Sequence, residues 1–209
     1  MLDFYNPRRD RGRSAFDARQ NLVLTTTYPV PFKFQQKAMG WMFSGWKLNG
    51  IGTFRTGEPF TGRAGSNRSA NGDRWTPDRP NLNPGFSPDP THGVSAGCAA
   101  LAAGTPLGTV DHYYDPCAFS RPALGTFGNL GRNTLTGPGL FNVDSSLEKT
   151  FKPTERINVQ FRAEVFNLLD QAHFYQPSSN TASGSAGRIT TLISNPGGRL
   201  MQLGLKVVF

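Results

Sequence analysis

The chain has 209 residues, a net charge of +8, and 24 glycines and 16 prolines. This composition is poor for a helical core, and no apolar run of about 18 residues is present, which excludes a transmembrane helix. The low mean hydropathy of -0.41 still suits a transmembrane β-barrel, because apolar and polar residues alternate along its strands. The basic residues are scattered apart from a cluster at 8–13, and no nucleic-acid motif is present, so we expect no nucleic-acid partner.

The first seven residues carry neither the basic segment nor the apolar segment of a signal peptide. A transmembrane β-barrel of the outer membrane needs such a segment for its export. If the chain contributes to such a barrel, we expect it to be the downstream part of a longer protein.

The first predicted strand covers residues 16–28. Its apolar face has an aromatic residue at each end, Phe16 and Tyr28, with aliphatic residues between them. Aromatic girdles at the two interfaces are typical of a lipid-facing strand. Asp17 and Arg19 alternate on the opposite face, where we expect the polar lumen of a barrel.

The second predicted strand covers residues 41–56. Trp46 and Phe54 share its apolar face. Trp41 and Phe43 stand at its start, where an interfacial belt of aromatic residues is expected.

Residues 57–138 are predicted to form a long loop, since they hold most of the prolines and show little periodicity. A structureless stretch of this length counts against a compact soluble domain, whereas outer-membrane barrels commonly carry long outer loops. Its two cysteines, Cys98 and Cys117, favour a disulfide that staples the loop. Free thiols and a metal site with His92 and His112 are the alternatives, although neither zinc-finger spacing nor a Cys-x-x-Cys motif is present.

Three more strands are predicted, over residues 140–151, 157–166 and 199–209. A tight polar turn at 152–156 joins the first two of these, and a second long loop at 171–198 precedes the last. Short and long connections therefore alternate strictly along the five strands. This order predicts an all-β fold of antiparallel transmembrane strands, with turns in the periplasm and long extracellular loops.

The last predicted strand ends the chain on an aromatic residue. About ten residues is the length that a tilted strand needs to cross a bilayer. One face of the segment is wholly apolar and contains Met201, Leu203, Leu205, Val207 and Phe209. The strand is therefore predicted to close an outer-membrane β-barrel.

Polar side chains alternate on the faces that are predicted to point inward. They form either a lumen wall that contacts a plug or a substrate, or structural ion pairs inside the barrel, and we prefer the second interpretation. No catalytic constellation stands out, so we expect no enzyme and no cofactor. The inward residues are Asp17, Arg19, Asn142, Asp144, Arg162 and Glu164.

Aromatic residues of the first long loop offer a possible surface for capturing a substrate, because loops carry much of the function of barrels and sandwiches. The candidates are Trp75, Tyr113 and Tyr114. The alternative is a variable outer loop with no dedicated ligand.

The segment FGNLGRNTLTGPG at 127–139, together with 141–147, resembles the C-terminal barrel part of TonB-dependent transporters. It is most similar to the Oar-like subfamily of Acidobacteria and relatives, whose members carry an N-terminal carboxypeptidase-regulatory-like domain. Residues 13–19, 115–119 and 160–167 support the resemblance, which covers nearly the whole chain.

The resemblance implies a barrel of about 22 strands that is filled by a plug and takes up a scarce large substrate with energy passed through TonB. Residues 1–209 would supply its last five strands, and TonB would make contact through a plug that this chain lacks. The expected surroundings are the lipid bilayer of the outer membrane, and Phe209 would be read by the barrel-assembly machinery. Because five strands cannot close a barrel, we expect no transport by this chain alone. The alternative is a secreted, soluble all-β binding module whose apolar strand face covers a core.

Overall fold

A computed structural model describes residues 3, 5–73, 78–193 and 198–209. Within these ranges, no helix is both long and apolar enough to cross a membrane. The chain divides into two compact units. The loop unit comprises Met1–Arg19, Thr56–Gly139 and Phe174–Thr191, and the sheet unit comprises Gln20–Arg55, Leu140–His173 and Leu192–Phe209.

The described residues form nine strands, one α-helix and two short 3₁₀ helices. In chain order they are a 3₁₀ helix at Pro7–Asp10, β1 at Asn21–Pro29, α1 at Lys37–Phe43, β2 at Trp46–Arg55, β3 at Pro59–Phe60, β4 at Asn81–Leu82, a 3₁₀ helix at Pro116–Ala118, β5 at Phe119–Ser120, β6 at Leu135–Thr136, β7 at Leu140–Phe151, β8 at Asn158–Phe166 and β9 at Leu200–Val208. The predicted fold class, all-β with antiparallel strands, is confirmed.

The sheet unit is a five-stranded sheet in the order β1-β2-β7-β8-β9, and every neighbouring pair is antiparallel. The short connections β1–β2 and β7–β8 join strands at one end of the sheet, and the long connections β2–β7 and β8–β9 join them at the other. This is the alternation that the sequence predicts.

The register gives the sheet two chemically different faces, because successive side chains of a strand point to opposite sides. Leu48, for example, lies between Tyr28 and Leu147, whereas the adjacent Asn49 lies between Thr27 and Ser146. The apolar face continues across all five strands through Leu22, Leu24, Phe54, Phe141, Val143, Phe161, Val165, Leu203 and Leu205. Most of these side chains remain exposed, so the apolar face covers no core within the sheet unit.

The two outer strands, β1 and β9, are exposed along their whole length, and each has one strand neighbour among the described residues. An unpaired edge presents a row of free backbone N–H and C=O groups to its surroundings. The sheet therefore has two open edges.

The predicted strand bounds agree best with the observed ones where apolar and polar residues alternate most regularly. β7 has the predicted bounds, and β8 and β9 differ from the prediction only at their ends. β1 begins at Asn21, so the prediction of a strand from residue 16 is wrong. Ser14 makes a turn there, because its carbonyl accepts the Asp17 N–H and its hydroxyl accepts the Phe16 N–H.

The prediction of a strand from residue 41 is also wrong. Residues 37–43 form α1, in which Ala38 and Met39 favour helix. Gly45, with a φ of 77°, then reverses the chain before β2 begins. Trp41 and Phe43 consequently belong to a helix in the connection rather than to a strand.

The loop unit is folded, which corrects the prediction of a structureless segment at 57–138. Its core is a small cluster of buried apolar residues, which Leu82, Phe86 and Ala186 extend. The cluster consists of Phe60, Tyr114, Ala118, Phe119, Leu130 and Leu135. Two short ladders, β3–β6 and β4–β5, connect distant parts of the segment around it.

Buried carboxylates order the loops of this unit, because they accept hydrogen bonds from backbone N–H groups that have no ladder partner. Asp115 accepts bonds from the N–H groups of Cys117 and Ala96, each at 3.0 Å, and from the Ser95 hydroxyl at 3.1 Å. Asp78, which is fully buried, accepts the N–H and the hydroxyl of Ser69. Such charge-assisted bonds are stronger than bonds between neutral groups, and they compensate for the small apolar core.

Candidate functional site

The polar face of the sheet carries a charged network that spans three strands. Arg162 of β8 lies 3.5 Å from the Glu148 carboxylate of β7 and 3.4 Å from that of Glu164. Gln202 of β9 donates a hydrogen bond to Glu164. These are exposed pairs, so each contributes little to stability on its own. Arg162 and Glu164 thus lie together on the polar face, as the alternation predicted.

A second, uncharged network continues across the other strands of this face. The Thr27 hydroxyl donates to Asn49 at 3.0 Å, and the Asn49 amide donates to Ser146 at 3.2 Å. Polar side chains therefore connect β1, β2 and β7 as well, and the polar face is continuous across the sheet.

Asn142 and Asp144, the other predicted inward residues, lie on the same face at the far end of β7. The Asn142 amide donates to Asp144 at 2.9 Å, and the same carboxylate oxygen accepts the backbone N–H of Asn167 at 2.9 Å. Their contacts hold the end of β8 against β7, which is a structural role.

Asp17 and Arg19 are not strand residues. Asp17 lies in the turn made by Ser14, and Arg19 lies before β1, in the loop unit. The prediction that they alternate on a strand face is therefore wrong. Arg19 instead lines a cleft of the loop unit, together with Arg11, Arg13 and Arg132.

Lys149 is the one charged residue on the apolar face of the described strands, and it is buried. Its Nζ donates to the carbonyl oxygens of Trp41 and Met42, at 2.5 and 2.8 Å. The ammonium group also lies over the rings of Trp46 and Phe151, 5.5 and 4.6 Å from their centroids. Since the C-terminal carbonyls of a helix attract a cation, α1 removes this charge from the apolar surface.

The predicted aromatic ligand contacts of the first long loop fall into three cases. Tyr114 is fully buried between Phe60 and Phe119, and its hydroxyl donates to the Ser178 carbonyl at 2.8 Å, so the prediction that it meets a ligand is wrong. Tyr113 is partly exposed, and its role stays a prediction. Trp75 lies outside the described residues, so its role stays a prediction.

Cys98 and Cys117 form a disulfide with a Cα–Cα distance of 5.6 Å, the arrangement that the sequence favoured. The bridge closes a loop of the loop unit next to the carboxylate of Asp115. In the described residues, no group of three His, Cys, Asp or Glu side chains is placed to hold a metal ion. His173 is buried, and its Nε2 is 3.0 Å from the Phe141 carbonyl oxygen.

Phe209 follows β9 and is almost fully exposed. It continues the alternation of Leu205 and Val207, which places it in register with the apolar face.

A model of the outer membrane beta barrel domain matches residues 1–202. The chain belongs to this family. Searches of the curated proteins and of the solved structures gave no match. The family places this β-barrel domain in the outer membrane, in association with its lipid bilayer, as the sequence predicted.

Two features of this outer-membrane β-barrel domain do not follow from its sequence. The first is the contact between α1 and Lys149. It was missed because aromatic residues at 41 and 43 suit both a strand end and a short helix. The cleft was missed because Arg132 lies more than a hundred residues after Arg11, Arg13 and Arg19 in the sequence. The only signal was the cluster of arginines at 8–13.

Proposed function

We propose that this domain is one sector of the barrel of a TonB-dependent, Oar-like transporter that takes up a scarce large substrate. The observation that carries the proposal is a sheet with one apolar face, one charged face and two open edges. It is supported by the membership of the outer-membrane β-barrel family and by the resemblance of 127–147 to these transporters.

The apolar face is assigned to lipid and the polar face to the lumen. Leu203, Leu205 and Leu24 are more than 60% exposed, which is costly in water and favourable in a bilayer. The ion pairs of Arg162 lie on the other face, where water or a plug can solvate them. A barrel interior of this kind is polar throughout.

The open edges require further strands. No water is present in the hydrocarbon region to satisfy free backbone groups, so only closed sheets are stable there. Five strands are too few to close around even a packed interior, since about eight form the smallest barrels. The sheet is therefore proposed to be completed by strands outside β1–β9, as in a large transporter barrel.

We further propose that the domain is not an enzyme, and that its partners are the barrel-assembly machinery and, through a plug, TonB. Phe209 is the proposed assembly signal, because it is exposed at the end of the apolar face. The substrate is proposed to meet the loop unit first, which is folded and stapled by the Cys98–Cys117 disulfide.

Crosslinking in cells tests the transporter proposal. The chain is expressed with its upstream coding region in a TonB-containing host, and outer membranes are treated with formaldehyde. We expect a crosslinked product that contains both this chain and TonB, and its loss when the upstream region is deleted. Absence of any TonB adduct from the longer product in the outer membrane would contradict the proposal.

A further inference from the structure

Four arginines surround one cleft of the loop unit. The cleft has a volume of about 600 Å³ and is lined by Arg11, Arg13, Arg19 and Arg132, and Asp89 is the one acidic residue among the described residues that line it. Ligand sites of proteins typically have volumes of roughly 300–1,000 Å³. The cleft is therefore large enough for a small molecule.

The described part of the protein neutralises the positive charge of the cleft only in part. Other arginines of the loop unit form ion pairs, such as Arg79 with Asp10 at 3.4 Å. None of the four cleft arginines has a carboxylate within salt-bridge distance among the described residues. Four like charges that share a cleft repel one another, and a bound anion would relieve this repulsion.

Asp89 supplies a single negative charge against four arginines, and uncharged donors already engage both of its oxygens. The Thr136 N–H and hydroxyl donate to it at 3.0 and 2.7 Å, and the Thr91 hydroxyl donates at 3.3 Å. The carboxylate thus fixes β6 in the wall of the cleft and offsets only one of the four positive charges.

Arg13 is held rigidly in the wall. Its Nε donates to the Asn133 carbonyl at 3.1 Å, and the Asn133 side-chain amide donates back to the Arg13 carbonyl at 2.7 Å. Its Nη2 donates to the Thr134 carbonyl at 2.9 Å and to the Thr136 hydroxyl at 3.3 Å. Among the described residues, the two N–H groups of Nη1 have no acceptor. A guanidinium group is therefore fixed in place with two donors available to a ligand.

Thr134 also lines the cleft, but it gives no indication of a ligand. Its Oγ1 is buried without a hydrogen-bond partner among the described residues. Because protein atoms close this oxygen off from solvent, an anion in the cleft does not reach it, and recognition rests on the arginines.

We propose that the cleft is a binding site for a small polyanion that carries two or more carboxylate or phosphate groups. Guanidinium groups match both oxyanions through paired N–H···O bonds, so the arginines recognise the chemistry common to the two. That this anion is the transported substrate rests on the function proposed above, whereas the binding site itself does not.

Calorimetry on the detergent-solubilised protein, prepared with its upstream region, tests the site. Citrate serves as the carboxylate probe, pyrophosphate as the phosphate probe and sucrose as the neutral control. We expect at least one of the two anions to bind, sucrose not to bind, and the tighter anion to identify the oxyanion class. The affinity should fall as the salt concentration rises, because the interaction is electrostatic.

Matched triple variants separate a built site from general charge. Arg11→Gln, Arg19→Gln and Arg132→Gln together remove three exposed cleft arginines, and we expect binding to weaken by at least about tenfold. Arg8→Gln, Arg121→Gln and Arg188→Gln remove three exposed arginines of the same unit that do not line the cleft, and we expect a change of less than about twofold. No binding of either anion, or an equal loss in both triple variants, would overturn the proposal.

Thr134→Val is a control that changes no charge. The substitution keeps the shape of a side chain in the cleft wall whose hydroxyl is closed to the cleft, so we expect anion binding to stay near the wild-type level. A loss as large as that of the cleft triple variant would contradict recognition by the arginines. Anion binding by a protein that gives no TonB adduct would overturn the transporter proposal and leave the site standing.

Discussion

Two neighbouring tyrosines of the loop unit link its folding to pH. Burial, with a smaller contribution from the Asp89 charge, raises the pKa of Tyr113 to about 12, and burial also raises the pKa of Tyr114 above its ordinary value. Both phenols are protonated in the folded and unfolded states below about pH 9. Between about pH 10 and 12 the unfolded chain loses protons that the folded unit keeps, so the stability of the unit falls as pH rises through this range.

This linkage is measurable as the protection of the loop unit from proteolysis between about pH 9 and 12. Tyr113→Phe should make the loss of protection with rising pH less steep, because one phenol no longer titrates on unfolding. Tyr175→Phe, which removes an exposed tyrosine of the same unit, is the control. An equal pH dependence in wild type and Tyr113→Phe would show that Tyr113 does not contribute.

Some properties of single residues can be predicted from the sequence and others cannot. The disulfide between Cys98 and Cys117 was predictable, because two cysteines in an exported loop leave few alternatives. The burial of Tyr114 was not, since its neighbours Phe60 and Phe119 come from other parts of the chain and follow no periodic pattern.

At the scale of elements, we expect the helix α1 to depend on a single lysine, Lys149 of strand β7. Lys149→Met places an apolar side chain of similar length on the apolar face and removes both hydrogen bonds to the Trp41 and Met42 carbonyls. Bonds to charged groups contribute about 1.5–3 kcal/mol each, so we expect α1 to open more often. Hydrogen exchange of the Ser44 amide, which bonds to the Gly40 carbonyl at 3.0 Å, should become at least about tenfold faster.

Lys47→Met is the matched control, because Lys47 is an exposed lysine on the opposite face of the neighbouring strand β2. It should leave the exchange of the Ser44 amide unchanged. Equal exchange rates in wild type and Lys149→Met would mean that α1 is held by its apolar contacts instead.

Adjacent residues of β9 test the assignment of the two faces. Leu203→Arg places a charge on the apolar face, where it costs about 2–4 kcal/mol in the middle of a bilayer. Gln202→Arg places the same charge on the polar face beside Glu164, where it finds a counter-charge. In the full-length protein we expect Leu203→Arg to lower the amount recovered in outer membranes and Gln202→Arg to leave it near the wild-type level. Equal recovery of the two variants would contradict the assignment.

The elements themselves were predictable in proportion to their periodicity. β7 alternates cleanly over 12 residues, and its bounds follow from the sequence. The alternation at 16–20 is just as regular, but the hydrogen bonds of Ser14 turn the chain there and no strand forms. Local side-chain bonding thus overrides a short pattern, whereas it does not override a long one.

At the scale of the whole molecule, the two units are stabilised in different ways and were predictable to different degrees. The sheet unit follows from the alternation of apolar and polar residues, which can be seen within the contiguous sequence of each strand. The loop unit has no such pattern, because Asp78, Asp115 and a disulfide order it through contacts between distant residues. Its sequence therefore looked structureless although its chain is folded.

The open edges of the sheet make a prediction for the molecule as a whole. Expressed alone, the 209-residue chain presents unpaired backbone groups along β1 and β9, and these cannot be buried in lipid. We therefore expect that only the product with its upstream coding region reaches the outer membrane as a closed barrel. Closed barrels migrate differently in gels before and after heating, so the longer product should shift on heating and the 209-residue chain should not. A 209-residue chain that is soluble, monomeric and folded by itself would show that its apolar face is covered by protein rather than lipid, as in a soluble all-β module.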